Sequence, residues 1–358
     1  MTVSRTLAAR PRTHFDRPPG SDAIEPPEAH GVARDAVRLL VARPGGVSHA
    51  RFADLGDYLR PGDLLVVNNS ATMPAAVDGR RGGQEITVHF STPRAEKAWV
   101  VELRPAVDAA GHLTDVRPGE RVDMPGGAAL VIGSSYPEPG VEGARLWTAR
   151  AILEGPAGAV GSYLARHGRP IRYAYVPRPW PLRYYQTVFA RSAGSAEMPS
   201  AARPFSTELV TALVSTGIGI APITLHAGVS SAEAGEPPTP EPFEVPAATA
   251  RMVNSARAAG SRVIAVGTTV TRALESAADA LGVVRPAAGW TDLVLGPGHP
   301  GRVVDGLITG WHDAGASHLL LLEAVAGPDL VAAAYREAVT RGYLWHEFGD
   351  SALLLPER

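Results

Sequence analysis

The chain has 358 residues, 45% of them hydrophobic and 20% charged, with a formal net charge of −2. This is the make-up expected of a globular protein with a sizeable core, and the length suggests two domains. There is no cysteine, which excludes disulfides, thiolate nucleophiles, iron–sulfur clusters and cysteine-based zinc sites.

No run approaches the roughly 18 apolar residues of a membrane span, and the first 30 residues have no apolar core of a secretory signal. The expectation is a cytoplasmic protein with no membrane partner. The eleven histidines are dispersed, with no HExxH pattern, so no metal is expected. Of the 34 basic residues only Lys97 is a lysine. With so little net charge, any contact with nucleic acid must come from a local patch.

Residues 1–35, rich in proline, arginine and acids, read as an irregular, partly ordered arm. VRLLVA (37–42) predicts a strand, and the turn at Arg60-Pro-Gly-Asp63 precedes a buried strand, LLVV, ending at Asn68-Asn69-Ser70. From about Arg80 to Glu154, short alternating runs (EITVHF, WVVELRPAV, ALVIGSS, RLWTARAIL) separated by Gly, Pro and Asp predict a small antiparallel barrel or sandwich.

Strand and helix signals then alternate. TELVTALVSTG predicts a helix ending at Gly217, GIAPITLHAG a strand, and TARMVNSARAAG a helix ending at Gly260. RVIAVG predicts a strand, and TRALESAADALG a helix with Val270, Leu274, Ala277 and Leu281 on one stripe. DLVLG and SHLLLLE read as buried strands, LVAAAYREAVTRG as a helix, and residues 230–242 as a proline-rich loop. The pattern is an α/β domain interrupted by a β insert.

Several segments carry chemistry. Gly155–Ala196 has no acidic residue but holds Arg166, Arg169, Arg172, Arg178, Arg183 and Arg191 among Tyr163, Tyr173, Tyr175, Trp180, Tyr184 and Tyr185. Guanidinium groups neutralise phosphates and aromatic rings stack on bases, although arginine bias in a domain-joining segment gives the same pattern. Gly267-Thr268-Thr269, between a strand and a helix, suits an anion or a hydroxyl-rich ligand, or is a tight connection only. His226 and His312 follow apolar strands, where histidines serve as general acids or bases, or as structural groups. Asp305, Glu275 and Asp350 are ambiguous between turn, surface and site roles.

Seven stretches in order resemble the S-adenosylmethionine:tRNA ribosyltransferase-isomerase family of queuosine biosynthesis. They are YLRPGDLLVVNNSATMPA (58–75), YYQTVFARSAGSAEMPSA (184–201), APITLHAG (221–228), GSRVIAVGTTVTRALES (260–276), GWTDLVLGPG (289–298), VVDGLITGWH (303–312) and YLWHEFGDSALL (343–354). The resemblance implies a large, barrel-like α/β domain at 1–80 and 156–358, with a small antiparallel β-barrel inserted at 81–155. It also implies transfer of the ribosyl group of S-adenosylmethionine to 7-aminomethyl-7-deazaguanine in tRNA, with rearrangement to an epoxycyclopentanediol and release of adenine and methionine.

S-adenosylmethionine would then be co-substrate, with no further cofactor and no metal. His226, His312 and Asp305 would be catalytic. Asn68, Thr72, Tyr185, Gln186, Thr187, Gly267, Thr268, Thr269, Arg272 and Asp350 would bind or orient substrate, and Arg166, Arg169, Arg172, Arg178 and Arg183 would meet tRNA.

The family's NDTRVIPAR is here NNSATMPAA, APTAGLHF is MPSAARPF (198–205), and TLHVGxGTF is TLHAGVSSA, with Ser230, Ser231 and Ala232 at the altered end. TNFHLPKST is TGWHDAGAS (309–317). These changes remove arginine, lysine and histidine. Two alternatives therefore stand beside the leading reading: a paralogue that consumes S-adenosylmethionine with a small acceptor or by cleavage, and a non-catalytic nucleotide- or RNA-binding descendant.

Overall fold

The computed structural model describes residues 7, 9–95, 97–106, 111–153, 159–229 and 235–357. The chain opens with β1 (Arg38–Arg43), β2 (Gly46–Arg51), β3 (Leu64–Asn68) and β4 (Ser70–Thr72). It then builds β5 (Ala76–Arg81), β6 (Gln84–Ala95), β7 (Ala98–Pro105), β8 (Arg121–Asp123), β9 (Ala129–Tyr136) and β10 (Leu146–Ile152). These last six close into an antiparallel barrel in the order β10-β7-β6-β5-β8-β9.

The chain returns through α1 (Ala159–His167), β11 (Ser192–Ser195), α2 (Thr207–Ser215) and β12 (Gly219–Leu225). Next come β13 (Glu241–Val245), α3 (Ala247–Ala258), β14 (Val263–Val266), α4 (Thr268–Ser276) and β15 (Ala287–Thr291). It ends with β16 (Gly306–Thr309), α5 (Ser317–Ala326), α6 (Pro328–Thr340) and β17 (Ser351–Leu354). A nine-stranded mixed sheet runs β15-β13-β12-β3-β14-β16-β17-β1-β2, and β4 pairs with β11 beside it.

The central strands β12, β3, β14 and β16 are mutually parallel. Their near-continuous apolar sequences follow from burial on both faces. Because successive side chains alternate, Leu64, Val66, Val263 and Ala265 join one core with Leu274, Leu322 and Tyr335. Leu65, Val67, Ile264 and Val266 join the opposite core with Phe52, Phe205 and Leu213. A third core, with Phe90, Trp99, Leu130 and Trp147, fills the barrel.

The structure differs from the sequence reading at three places. SHLLLLE is not a strand but most of α5, whose four leucines are all buried; a short run that is apolar all round carries no period to separate helix from strand. DLVLG forms no strand: the Leu293 carbonyl goes to Arg272, the Leu293 amide to Thr291 Oγ1, and Gly296 makes only an isolated bridge to His299. The helix after Gly267 stops at Ser276, and Leu281 is 85% exposed. There Asp279 accepts the amides of Leu281 and Val283, an Asx-type turn that replaces further helical bonds.

The N-terminal arm is tied to the body. The amides of Arg12 and Thr13 donate to Glu323, and Phe15 packs on Tyr335 at 4.8 Å between ring centroids. Among the described residues no single helix is long and apolar enough to cross a membrane; α5 and α6 together have the length but bend by 119°.

Candidate active site

Each central parallel strand delivers one predicted residue at its C-terminal end. Asn68 closes β3, His226 follows β12, Gly267 follows β14, and Gly310-Trp311-His312 follows β16. Ligands of open α/β sheets bind at this edge. A cavity of about 350 Å³ opens there, between the strand ends and the barrel.

One wall is the N-terminus of α4. Gly267 precedes it at φ 98°, in the left-handed region that favours glycine, and an added Cβ would lie 3.3 Å from Ala201 Cβ. This places Thr268 and Thr269 on the cavity at the positive end of the helix dipole. Arg272, one turn on, also lines the cavity, but it is paired with Glu241 and donates to Thr291 O at 3.1 Å. Glu241 in turn accepts the Gly228 amide at 2.9 Å. Asn68 is fully buried behind this wall. Its Nδ2 donates to Leu225 O at 2.8 Å and Thr269 Oγ1 at 3.3 Å, and its Oδ1 accepts the Leu225 amide at 3.1 Å. It ties β3 to β12 and holds Thr269.

A second wall is imidazole. His312 and His318 stack with centroids 4.4 Å apart and planes within 2°, and His312 Nε2 lies 3.1 Å from Thr309 Oγ1. Burial holds the His312 pKa well below its ordinary value, reinforced by His318 and His346. Burial, with Arg272 nearby, brings His318 down to about 4. Both rings are neutral at pH 7.

The third wall is aromatic and acidic. Tyr173 and Tyr175 stack at 6.0 Å, and Tyr175 lies on His346 at 4.1 Å. The Tyr173 hydroxyl donates to Glu197, and the Tyr175 hydroxyl donates to Glu347 at 2.5 Å. Burial, with the Glu197 charge adding to it, pushes the Glu347 pKa up to about 6 against the pull of Tyr175 and Arg203. Tyr185 and Trp311 complete the lining at 4% and 2% exposure, yet the Tyr185 hydroxyl and the Trp311 indole N–H have no hydrogen-bond partner among the described residues.

From the barrel comes Arg145, 3.3 Å from Glu102 and 3.4 Å from Glu236. Glu102 is wholly buried and also pairs with Arg104 at 2.9 Å. Burial would raise its pKa, but His89, Arg145 and Arg104 outweigh that and hold it at about 2. Burial lowers the pKa of His89 itself despite Glu102. At pH 7 the charge pairing of Glu102 therefore rests on the two arginines, with His89 a neutral neighbour.

His226, Asp305 and Asp350 lie outside the cavity lining. His226 Nδ1 is 2.7 Å from Ser70 Oγ, which meets Ser195 Oγ at 2.6 Å; the ring clamps β4 and β11 against the end of β12. Asp305 sits at the opposite, N-terminal edge of the sheet, where its Oδ2 accepts the Val263 amide at 2.8 Å. That position is a correction to its catalytic reading, since a sheet's length separates it from the cavity. Asp350 accepts the Arg38 and Leu344 amides, both at 2.8 Å, and pairs with the Arg38 guanidinium at 2.7 Å, a structural tie.

Thr72 reaches the cavity, with its Oγ1 donating to Tyr185 O at 2.7 Å. The Gln186 amide brackets the Thr72 backbone like a missing strand, at 3.0 and 2.8 Å. Buried Thr187 accepts the Phe189 amide at 3.2 Å in a turn.

The acid-free segment divides in two. Tyr173, Tyr175 and Tyr185 turn into the cavity and are not a surface platform for bases. Arg169 pairs with Asp78, and Arg172 donates to Val176 O at 2.7 Å. Arg166, Arg178 and Arg183 are exposed; Arg178 meets Glu25 and lies over Trp180, and Arg183 lies over Tyr184.

The sequence reading missed Glu197, Glu241, Arg145, His318, His346 and Glu347. His318 was hidden in the run read as a strand, and Glu347 stands three residues before Asp350 in a segment already singled out. Ser230, Ser231 and Ala232 lie outside the described residues.

An open α/β sheet with its cavity at the parallel strand ends, walled by a closed six-stranded barrel, is the arrangement in which α/β proteins carry a small-molecule site. The chain belongs to the queuosine biosynthesis protein family, whose model matches residues 12–354. It is 38% identical to the S-adenosylmethionine:tRNA ribosyltransferase-isomerase of Moorella thermoacetica, over 95% of this chain and 98% of that one. The enzyme of the same name from Symbiobacterium thermophilum is 37% identical, over 90% and 94%. The crystal structure of S-adenosylmethionine tRNA ribosyltransferase from Thermotoga maritima superposes with a TM-score of 0.52 at 28% identity, covering 95% of this chain and 99% of that chain.

Proposed function

We propose that this enzyme transfers the ribosyl moiety of S-adenosylmethionine to 7-aminomethyl-7-deazaguanine in tRNA and isomerises it, releasing adenine and methionine. The observation that carries this reading is one cavity holding Thr268, Thr269, Arg272, Tyr185, Thr72 and His312, in a chain matched to that family over residues 12–354.

In this reading the sulfonium acidifies the adjacent 5′ carbon, and a base in the cavity removes its proton. His312 is neutral there and able to accept one. The N-terminus of α4 offers backbone N–H groups and two hydroxyls to a carboxylate or to ribose hydroxyls. Exposed Arg166, Arg178 and Arg183 contact phosphates of the tRNA, and the site of action is the cytoplasm.

The test is product analysis by mass spectrometry, with S-adenosylmethionine supplied with and without tRNA carrying the deazaguanine. The expected result is adenine and methionine released only with that tRNA, together with a modified nucleoside. Release without tRNA overturns the acceptor, and no release in either case overturns the reaction.

A further inference from the structure

The junction of the barrel and the large sheet carries an exposed cation set against two aromatic rings. Arg94, exposed near the end of β6, lies over Tyr136 and Trp290, its guanidinium carbon 5.3 Å and 4.8 Å from the two ring centroids. Tyr136 ends β9 of the barrel, and Trp290 belongs to β15, an edge strand of the sheet. Arg94 has no carboxylate partner among the described residues. Trp290 is 45% exposed, whereas the other tryptophans are buried or half-buried. A single exposed apolar side chain is ordinary on a protein surface. Here an open indole, a second ring and an unpaired guanidinium coincide.

The patch borders the cavity without lining it. Leu293 and Val294, just after β15, are lining residues, and Val294 is exposed at the rim. Tyr136 pairs with Leu146, the neighbour of the lining residue Arg145. On the β6 side, Ser91 Oγ accepts the amide of Val229, another lining residue, at 2.9 Å.

A base that reacts inside a protein cavity has to leave its stack. Its neighbour in the strand then loses a stacking partner, which an aromatic side chain at the entrance replaces. A guanidinium beside that ring neutralises a phosphate of the same strand. An acidic peptide would meet Arg94 equally well but has no planar group to cover the indole, so ring and charge together favour a nucleic acid.

We propose that Trp290 stacks on a base next to the one being modified, with Arg94 on the adjoining phosphate, making the barrel–sheet junction part of the RNA-binding surface. The inference rests on the proposed reaction, in which the acceptor is a base in tRNA. It adds a stacking contact at the cavity rim to the phosphate contacts of Arg166, Arg178 and Arg183.

The experiment measures binding of fluorescently labelled tRNA carrying 7-aminomethyl-7-deazaguanine, by anisotropy at several salt concentrations. The proteins are full-length wild type, Trp290→Leu, Trp290→Phe and Arg94→Gln, each checked by a thermal melt and by calorimetric titration with S-adenosylmethionine.

Trp290→Leu should weaken tRNA binding by about 5-fold to 150-fold, the range of one base stacked on a ring. Trp290→Phe, which keeps a π face, should bind at least about 3-fold more tightly than the leucine variant. Arg94→Gln should flatten the dependence of log affinity on log salt by about 0.7–0.9, the contribution of one phosphate. Affinity for S-adenosylmethionine should stay within about 2-fold in all three, since neither residue lines the cavity. A folded Trp290→Leu that binds tRNA like wild type, a phenylalanine variant no better than leucine, or an equal loss of S-adenosylmethionine affinity overturns the inference, and an unchanged salt slope overturns the phosphate contact. Ring-dependent tRNA binding without adenine release by wild type would leave the inference standing and remove the proposed reaction; tRNA-dependent adenine release with binding unimpaired in Trp290→Leu would do the reverse.

Discussion

Replacing Glu102 by glutamine removes the carboxylate that Arg104 and Arg145 share at the inner face of the barrel. The size of the effect follows from the site. A carboxylate held at about 2 against an ordinary 4.5 corresponds to about 3 kcal/mol of stabilisation at neutral pH. His89 is the strongest of the groups that lower the Glu102 pKa, yet it is neutral at pH 7, so the arginines alone account for less than this. The variant, however, also takes a buried carboxylate from Arg104 and from Arg145, which keeps Glu236 at 3.4 Å, in a wall where Arg145 has only 9% of its side chain exposed. Breaking a buried pair from one side costs about 3–5 kcal/mol. The net expectation is a loss of about 3 kcal/mol.

Because the folded pKa is depressed, this stabilisation is complete above the ordinary 4.5 and is lost as pH falls towards about 2. Urea unfolding of wild type and Glu102→Gln, followed by the fluorescence of the barrel residues Trp99 and Trp147, measures the difference at pH 7 and at intervals down to pH ~3. The gap should narrow to about 1 kcal/mol at the acid end. A difference below about 1 kcal/mol at pH 7, or one that does not shrink on acidification, refutes the reasoning.

Glu347 carries the opposite sign. Its folded pKa of about 6 is raised above 4.5, so ionising it opposes folding as pH rises through that window. Glu347→Gln should therefore be more stable than wild type by up to about 2 kcal/mol above pH ~6 and match it below pH ~4.5, read from melts across pH. His312→Ala should lower turnover by about 10²–10⁴-fold with the melting temperature kept, and a near-normal rate removes it as the proton acceptor. Gly194→Ala would place a Cβ 2.4 Å from the His226 ring, so a destabilisation of about 1–3 kcal/mol is expected in urea unfolding; an unchanged midpoint contradicts the clamp assigned to His226. Tyr185→Phe removes a hydroxyl that has no partner among the described residues, so folding stability should change by less than about 1 kcal/mol while S-adenosylmethionine binding weakens. A variant with unaltered affinity would show that the hydroxyl meets no ligand.

The order of strands and helices was legible where one period dominated. The runs LLVV, GIAPITL and RVIAVG are short, largely apolar and bounded by turn residues, and they became parallel strands at the centre of the sheet. The helix signals before Gly217, Gly260 and Gly342 were equally clear, because each ends on a glycine at positive φ. SHLLLLE failed because a helix buried on all sides has no polar face to mark its period.

The site divided along similar lines. Residues at strand ends, such as His312 and Thr268, could be picked because position along a strand already implies the functional edge of the sheet. Asp305 looked alike in sequence but stands before its strand, which sends it to the far edge. Glu197, Glu347 and Arg145 could not be grouped, because their meeting depends on how the barrel and the closing segment pack against the sheet. The arginine-rich stretch misled in part: its tyrosines proved to be cavity wall, and two of its arginines are committed to local bonds.

A crystal structure of the enzyme with a non-reactive S-adenosylmethionine analogue tests the assignment of the cavity most directly. The account predicts density for the nucleoside between the N-terminus of α4 and Tyr185, with the sulfur-bearing chain inside the cavity and His312 on its border. Density confined to the exposed face around Arg166, Arg178 and Arg183, with the cavity holding only solvent, would contradict it.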